Sequence, residues 1–222
     1  TIDPTATVAQ TVADHPECAR IFRSHRIDFC CRGETSVRDA CAQHRVDAPE
    51  LLGELERAVA ERQGDGKPDP RALSTAELLD HIVTRHHAML RKSLPFVDQL
   101  ARKVARVHGE HNPKLVGLAE AVSDLRETLE PHLDEEEEAI FPALRDPDGA
   151  ARARRDLDAM RAEHLRVGEL LESIQSLADG YATPEWACGS YRALMRELEA
   201  VEIDTLEHVH VENHVLAPRF AS

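Results

Sequence analysis

The chain has 222 residues, with 41 acidic against 27 basic side chains and a formal net charge of −14. That balance argues against nucleic acid and anionic membrane surfaces as partners and favours cations or basic protein surfaces. The length suffices for one sizeable core plus a small second module.

Taken from the start, Thr1 to Thr11 has neither a basic region nor an apolar stretch of the kind a secretory leader needs. No run further on approaches the roughly 18 apolar residues of a membrane span. The five cysteines are odd in number and show no regular disulfide spacing, which suits a reducing compartment, and a cytoplasmic location is expected. Short helical patterns occupy Val8 to Arg23, Ser36 to His44 and Pro49 to Arg62, with Asp28 to Gly33 as a turn between the first two. This is a small helical module, residues 1–63. Cys30 and Cys31 are adjacent within the turn, and a disulfide between neighbours is strained. A thiol pair that binds metal, exchanges with a partner or senses redox state is the functional alternative to small residues that merely pack the turn. Cys18, Cys41 and Cys188 lack partner spacing and are expected to be packing residues.

The run Gln63 to Pro70 concentrates glycine and proline, and residues 64–73 are expected to be a linker. Ser74 with Glu77 then forms a capping-box pattern that opens a second domain, residues 74–222. Four amphipathic stripes follow. The first contains Val83, His87, Leu90 and Leu94; the second Leu118, Val122, Leu125, Leu129, His132, Glu136 and Ile140. The third runs Leu157, Met160, His164, Val167, Leu171 and Ile174, and the fourth Leu194, Leu198, Val201, Thr205, His208, Glu212 and Val215. Steps of three and four residues keep each series on one helix face, so the histidines and glutamates should point into an all-α bundle. Pro95 should interrupt the first of these helices and Pro131 should kink the second.

Two of the stripes carry the same sentence. His132-x-x-x-Glu136 is followed by Pro142, and His208-x-x-x-Glu212 by Pro218; His87 lies 45 residues before His132, and His164 lies 44 before His208. Residues four apart stand one above the other on a helix, so each histidine and its glutamate can reach one centre. The repeat predicts two similar helical hairpins that enclose a metal site with pseudo-twofold symmetry. One histidine on an apolar stripe is ordinarily a satisfied core residue. Four imidazoles and two carboxylates at one level of a core would cost several kcal/mol for each uncompensated charge, and a metal supplies the compensation. A hydrogen-bonded polar layer is the competing account. Ligand type alone admits iron, manganese or zinc. Of the other histidines, His86 on a neighbouring stripe rivals His87, while His81, His111, His210 and His214 are expected at the surface or behind the ligands. Within Glu135 to Glu138 only Glu136 lies on the core stripe, and its neighbours are expected to form a solvated face.

The four stripes, together with Asp28-Phe29-Cys30-Cys31-Arg32-Gly33 in the first module, resemble the Repair of Iron Centres family over nearly the whole chain. The resemblance implies an up-down four-helix bundle of the hemerythrin type behind a small helical N-terminal domain. It implies two iron ions in an oxygen-bridged centre, with His87, His108, His132, His164 and His208 as terminal ligands and Glu136 and Glu212 as bridges, one position staying open for a small ligand. On one straight helix His108 would lie roughly 31 Å from His87, so this ligand requires the chain to bend at Pro95 and in the loop marked by Gly109 and Pro113. The implied function is repair or protection of iron–sulfur clusters under nitrosative or oxidative stress, by donation of iron. Damaged iron–sulfur proteins would be the partners and Cys30 and Cys31 would serve in redox input, docking or iron transfer. The competing functions are a binder or sensor of nitric oxide or dioxygen, and a di-iron nitric oxide reductase. A homodimer is open as the assembly state. Where the family has Cys-Cys-Gly-Gly, this chain has Cys30-Cys31-Arg32-Gly33, and Arg32 is expected to lower the pKa of a neighbouring thiol.

Overall fold

Three of the four α-helices of the first module begin at a side chain that satisfies an orphan amide. The computed structural model describes residues 2–61, 69–146 and 150–220, the last stretch without the side chains of residues 150–154. Thr7 accepts from the Gln10 amide to open α1 (Val8–Asp14), Ser36 accepts from Asp39 to open α3 (Val37–His44), and Asp47 accepts from Glu50 to open α4 (Ala48–Ala60). Between α1 and α3 lies α2 (Ala19–Ser24). The single helical pattern expected over Val8 to Arg23 is thus divided. Pro16 has no amide hydrogen and starts a separate 3₁₀ turn over Pro16–Cys18 instead of continuing α1. Val8, Phe22, Val37, Leu51 and Leu55 are buried together with Cys18 and Cys41, so these two cysteines pack as expected.

The described residues group into two units, residues 1–73 with 209–222, and residues 74–208. Most of the expected linker, residues 62–68, lies outside the described residues. In the second unit, Ser74 and Glu77 form the full reciprocal capping box at the start of α5 (Thr75–His81). A π-helical turn over Ile82–His87 leads without a break into α6 (Ala88–His108). α7 (Lys114–Glu135) continues through a second π turn, Glu136–Ile140, into α8 (Phe141–Arg145). α9 (Ala150–Leu177) and α10 (Gly189–Val211) complete the four long helical runs, and the boundary between the units falls inside the last of them. No strand occurs among the described residues, and the fold is all-α.

One apolar core fills the bundle. α6 contributes Leu90, Leu94, Val97, Ala101 and Val104; α7 contributes Leu118, Val122, Leu125 and Leu129; α9 contributes Val167, Leu171 and Ile174; α10 contributes Leu194, Leu198 and Val201. Full burial of each larger aliphatic side chain contributes about 1.5–3 kcal/mol. Pro95 and Pro131 both lie inside continuous helices, so the interruption expected at Pro95 does not occur. A proline in a helix interior costs about 3 kcal/mol. The apolar stripe of α6 stays in phase on both sides of Pro95, and its combined burial outweighs that cost.

In the first unit the turn that holds the cysteines is closed by Gly33. A Cβ at this position would run into the Phe29 carbonyl and stand 2.7 Å from the Ala9 Cβ. Arg32 is exposed and its φ is not positive, so the departure from a double glycine puts no strain on the backbone. Gly33→Ala should therefore destabilise this unit by about 2 kcal/mol, the usual cost of overpacking. Loss of amide-exchange protection in α1 and in residues 27–33, with α6 and α7 unchanged, is the expected result.

Candidate metal centre

Directly beyond the apolar core, the same four helix faces present imidazole and carboxylate. His87 lies three residues before Leu90, His132 three after Leu129, His164 three before Val167, and His208 seven after Val201. Each is at most 4 % exposed, and Glu136 and Glu212 are fully buried. Glu212 stands one turn beyond His208 on an unbroken helical run that passes into a π turn, Glu212–Leu216. Three π turns coincide with ligand positions. Those at Glu136 and Glu212 precede Pro142 and Pro218, whose missing amide hydrogen removes one ordinary helical bond and favours local widening. The spacing from glutamate to proline in the repeat is the sequence record of that widening.

The side chains form two sets, His87, Glu136, His208 and Glu212, and His132, Glu136, His164 and Glu212, with one ligand atom from each member within 4.8 Å of the others. The Nε2 atoms of His87 and His208 are 3.2 Å apart, and those of His132 and His164 are 3.3 Å apart. Glu136 divides its oxygens between the sets: Oε2 is 3.2 Å from His87 Nε2, and Oε1 is 3.1 Å from His132 Nε2. Two donors held about 2.1 Å from one ion at right angles lie about 3 Å apart, so these separations are those of ligands sharing an ion.

The outer ring atoms strengthen the case for a cation. His87 Nδ1 is 2.8 Å from Glu137 Oε1, and His132 Nδ1 is 2.7 Å from Glu163 Oε2. A neutral imidazole that donates from Nδ1 to a carboxylate turns the lone pair of its Nε2 inward. Both inward lone pairs meet a Glu136 oxygen, a repulsive arrangement that a shared cation makes favourable. The donor set therefore fits metal better than it fits a self-sufficient polar layer. Glu137 was expected on a solvated face and Glu163 was not singled out at all. Their signal was present in the sequence, since one adjoins Glu136 and the other adjoins His164. Glu137→Gln and Glu163→Gln should each weaken metal affinity about 10–100-fold while sparing the fold, as measured by competition with a chelator.

His86, the rival to His87, is also buried, but it stacks on His208 with ring centroids 5.5 Å apart and 10° between planes, and its Nδ1 is 3.0 Å from Asp204 Oδ1. It braces a ligand instead of joining either set. Phe141 covers the His87 ring from another side at 5.6 Å. His108 is not brought to the site. It ends α6, which runs on through Pro95, and its Nε2 faces Cys188 Sγ at 3.2 Å. The bend that a fifth histidine ligand required does not occur.

In the first unit Asp28 Oδ1 accepts from the amides of Cys30 and Cys31 at 2.9 and 2.8 Å, and the two sulfurs lie 3.4 Å apart in a thiol–thiol hydrogen bond. Asp28, Cys30 and Cys31 together place three ligand atoms within 4.8 Å of one another. The hydrogen bond with Cys31, burial and the Asp28 charge hold the Cys30 thiol well above its ordinary pKa. The lowering expected from Arg32 is not seen at Cys30, because that side chain is exposed while the thiol is fully buried. The segment 209–222 belongs to this unit and fixes the turn. His214 Nε2 and Asn213 Nδ2 donate to the Cys30 carbonyl at 2.8 and 2.9 Å, and His210 Nδ1 donates to the Phe29 carbonyl at 3.2 Å. Burial, aided by His214, pushes His210 down to about 4, so it serves this bond as a neutral ring. His210 and His214 are thus supports of the cysteine turn.

Comparison with known proteins agrees with this geometry. Residues 78–220 match the hemerythrin HHE cation binding domain, and residues 4–59 match a domain of unknown function, DUF542. The chain is 33 % identical over 217 residues to the iron-sulfur cluster repair protein ScdA of Staphylococcus haemolyticus, covering 96 % of this chain and 97 % of that one. This chain belongs to the iron–sulfur cluster repair family. It is likewise 36 % identical over 204 residues to the family member YtfE of Edwardsiella ictaluri, covering 92 % of this chain and 91 % of that one. The YtfE protein of Yersinia pseudotuberculosis is 33 % identical over 204 residues, again with 92 % and 91 % covered. The two matches place a cation binding domain and the DUF542 domain, which here contains Cys30 and Cys31, in one chain. No helix among the described residues is long and apolar enough to cross a membrane.

Proposed function

We propose that this protein restores damaged iron–sulfur clusters by giving up iron held in the bundle. The observation that carries the reading is the pair of buried histidine couples, His87 with His208 and His132 with His164, that share Glu136 and Glu212. Two iron ions would take these couples as terminal ligands and the two glutamates as bridges. Four imidazole nitrogens with two carboxylates form a borderline-to-hard donor set suited to iron, without the thiolate ligands that would hold it most tightly. When bound, the iron supplies the metal that a stripped cluster lacks. The chain's own residues do the rest. Glu137 and Glu163 fix the ring orientation of His87 and His132, and a protonation of those carboxylates or rings would loosen the hold on the ion.

The cysteine turn gives delivery a second element. One helical segment carries both Glu212 and the two residues, Asn213 and His214, that hydrogen-bond to the Cys30 carbonyl. We assign Cys30 and Cys31 to docking, redox input or a transient iron contact with the client. Damaged iron–sulfur proteins are the partners in this reading, and five cysteines without regular disulfide spacing fit the cytoplasm. The deciding experiment mixes iron-loaded protein anaerobically with an enzyme stripped of its cluster and supplied with sulfide. Recovered enzyme activity should rise as iron leaves this chain, atom for atom. Recovery with no loss of iron from the chain would rule out donation and leave electron delivery or gas removal in its place.

A further inference from the structure

At the end of the bundle where α6 stops, His108 meets the loop that leads into α10. Its Nε2 lies 3.2 Å from the sulfur of Cys188, close enough to take the thiol proton. Cys188 is exposed, whereas Cys18, Cys30, Cys31 and Cys41 are buried. The expectation that Cys188 is a packing residue is therefore replaced by an accessible sulfur beside a base. Reactivity of a thiol requires access and a base to take its proton, and here the exposed sulfur lies within hydrogen-bond distance of an imidazole nitrogen.

The loop is held for the purpose. Arg192 donates from Nε to the Ala187 carbonyl at 3.1 Å and from Nη2 to the Glu185 carbonyl at 2.9 Å, fixing the residues just before Cys188. Lys103 donates to Ser190 Oγ at 3.3 Å, two residues beyond Cys188 in the chain. An aromatic wall stands beside the pair. The His108 ring is 5.7 Å from Trp186 and 6.0 Å from Tyr191, His111 sits 4.3 Å from Trp186, and Trp186 remains 43 % exposed.

We propose that His108 and Cys188 form a thiol–imidazole pair that undergoes exchange with low-molecular-weight peptidic disulfides, making Cys188 a site of S-thiolation. The thiol proton passes to His108 Nε2, and Cys188 Sγ attacks one sulfur of the disulfide. A new S–S bond forms as the disulfide's own S–S bond breaks, and the leaving thiolate takes the proton from His108. The products are one mixed disulfide and one free thiol, with no further oxidant needed. Lys103 and Arg192 favour the carboxylates of a peptidic reagent, and Trp186 offers its face to the organic part. The site is separate from the candidate metal centre, since a continuous helix of 21 residues, about 31 Å at the ordinary helical rise, runs from next to His87 to His108.

The probe is oxidised glutathione, applied to the full-length iron-loaded protein at pH 7, with adduct formation followed by peptide mass analysis. The peptide containing Cys188 should gain one glutathionyl group, and the buried cysteines should not. His108→Gln should slow that gain about fivefold or more while keeping its iron, and Cys188→Ala should abolish it. An equal rate in His108→Gln would overturn the pair, as would modification confined to other cysteines. Loss of iron from His108→Gln would overturn it too, because the ring would then belong to the metal centre.

Discussion

Glu136→Leu is expected to empty both metal positions, whereas His132→Ala should spare one. Glu136 has an oxygen 3.2 Å from His87 Nε2 and its other oxygen 3.1 Å from His132 Nε2, so a single substitution removes a donor from each set. His132 belongs to one set only. Leucine has nearly the same reach and leaves an apolar group in a buried place, so the loss is of coordination and not of packing. Iron per chain should fall from about two in the parent to well below one in Glu136→Leu and to about one in His132→Ala. Stability offers a second readout, because a ligand that binds only the folded state at a hundredfold excess over its dissociation constant adds about 2.7 kcal/mol. The parent should therefore melt at a higher temperature with iron than without, and Glu136→Leu should melt at one temperature in both conditions. A Glu136→Leu protein that keeps two magnetically coupled irons would remove the bridging assignment.

The side chains that come together in the bundle stood out in the sequence because their pattern is written twice. A histidine and a glutamate one turn apart, on a stripe that is otherwise apolar, have few inexpensive explanations, and the repeat brings two such stripes into one core. The structure adds why proline closes each copy: Pro142 and Pro218 follow π turns that start at Glu136 and Glu212. What failed was the reasoning from proline to bend. Pro95 removes one hydrogen bond, but Leu90, Leu94, Val97, Ala101 and Val104 stay in phase through it, and burial of that stripe keeps α6 continuous and His108 remote. Glu137 and Glu163 were missed for a different reason. A charged residue beside a buried ligand looks like a solvated face until the ring it orients is placed in three dimensions. The grouping of residues 209–222 with the first unit was equally hidden, since it rests on His210, Asn213 and His214 reaching backbone carbonyls, and a carbonyl leaves no mark in a sequence.

Replacing both Cys30 and Cys31 by serine should leave the irons in place and remove most cluster repair. Neither cysteine belongs to the two histidine–glutamate sets, so iron per chain should match the parent. Serine can keep the local bonds, because Asp28 Oδ1 accepts from the two backbone amides and a hydroxyl can replace the Cys30 thiol as its third donor. The carbonyl of residue 30 also keeps its bonds from Asn213 and His214, so the turn itself should persist. Thiol chemistry is what the substitution removes. A hydroxyl neither exchanges with a disulfide nor offers a soft ligand to iron in transit. In the parent, the hydrogen bond with Cys31, burial and the Asp28 charge raise the Cys30 pKa well above its ordinary value, so a thiolate contact would require the thiol to give up its proton. Recovery of a stripped cluster, counted per iron loaded and under anaerobic conditions, should drop about tenfold or more, a barrier increase of about 1.4 kcal/mol or more. Equal recovery in the double variant would deny the pair any part in delivery. If that variant also bound nitric oxide or dioxygen as the parent does, the metal centre would be better described as a binder of small ligands, and the cysteine module would need a separate task.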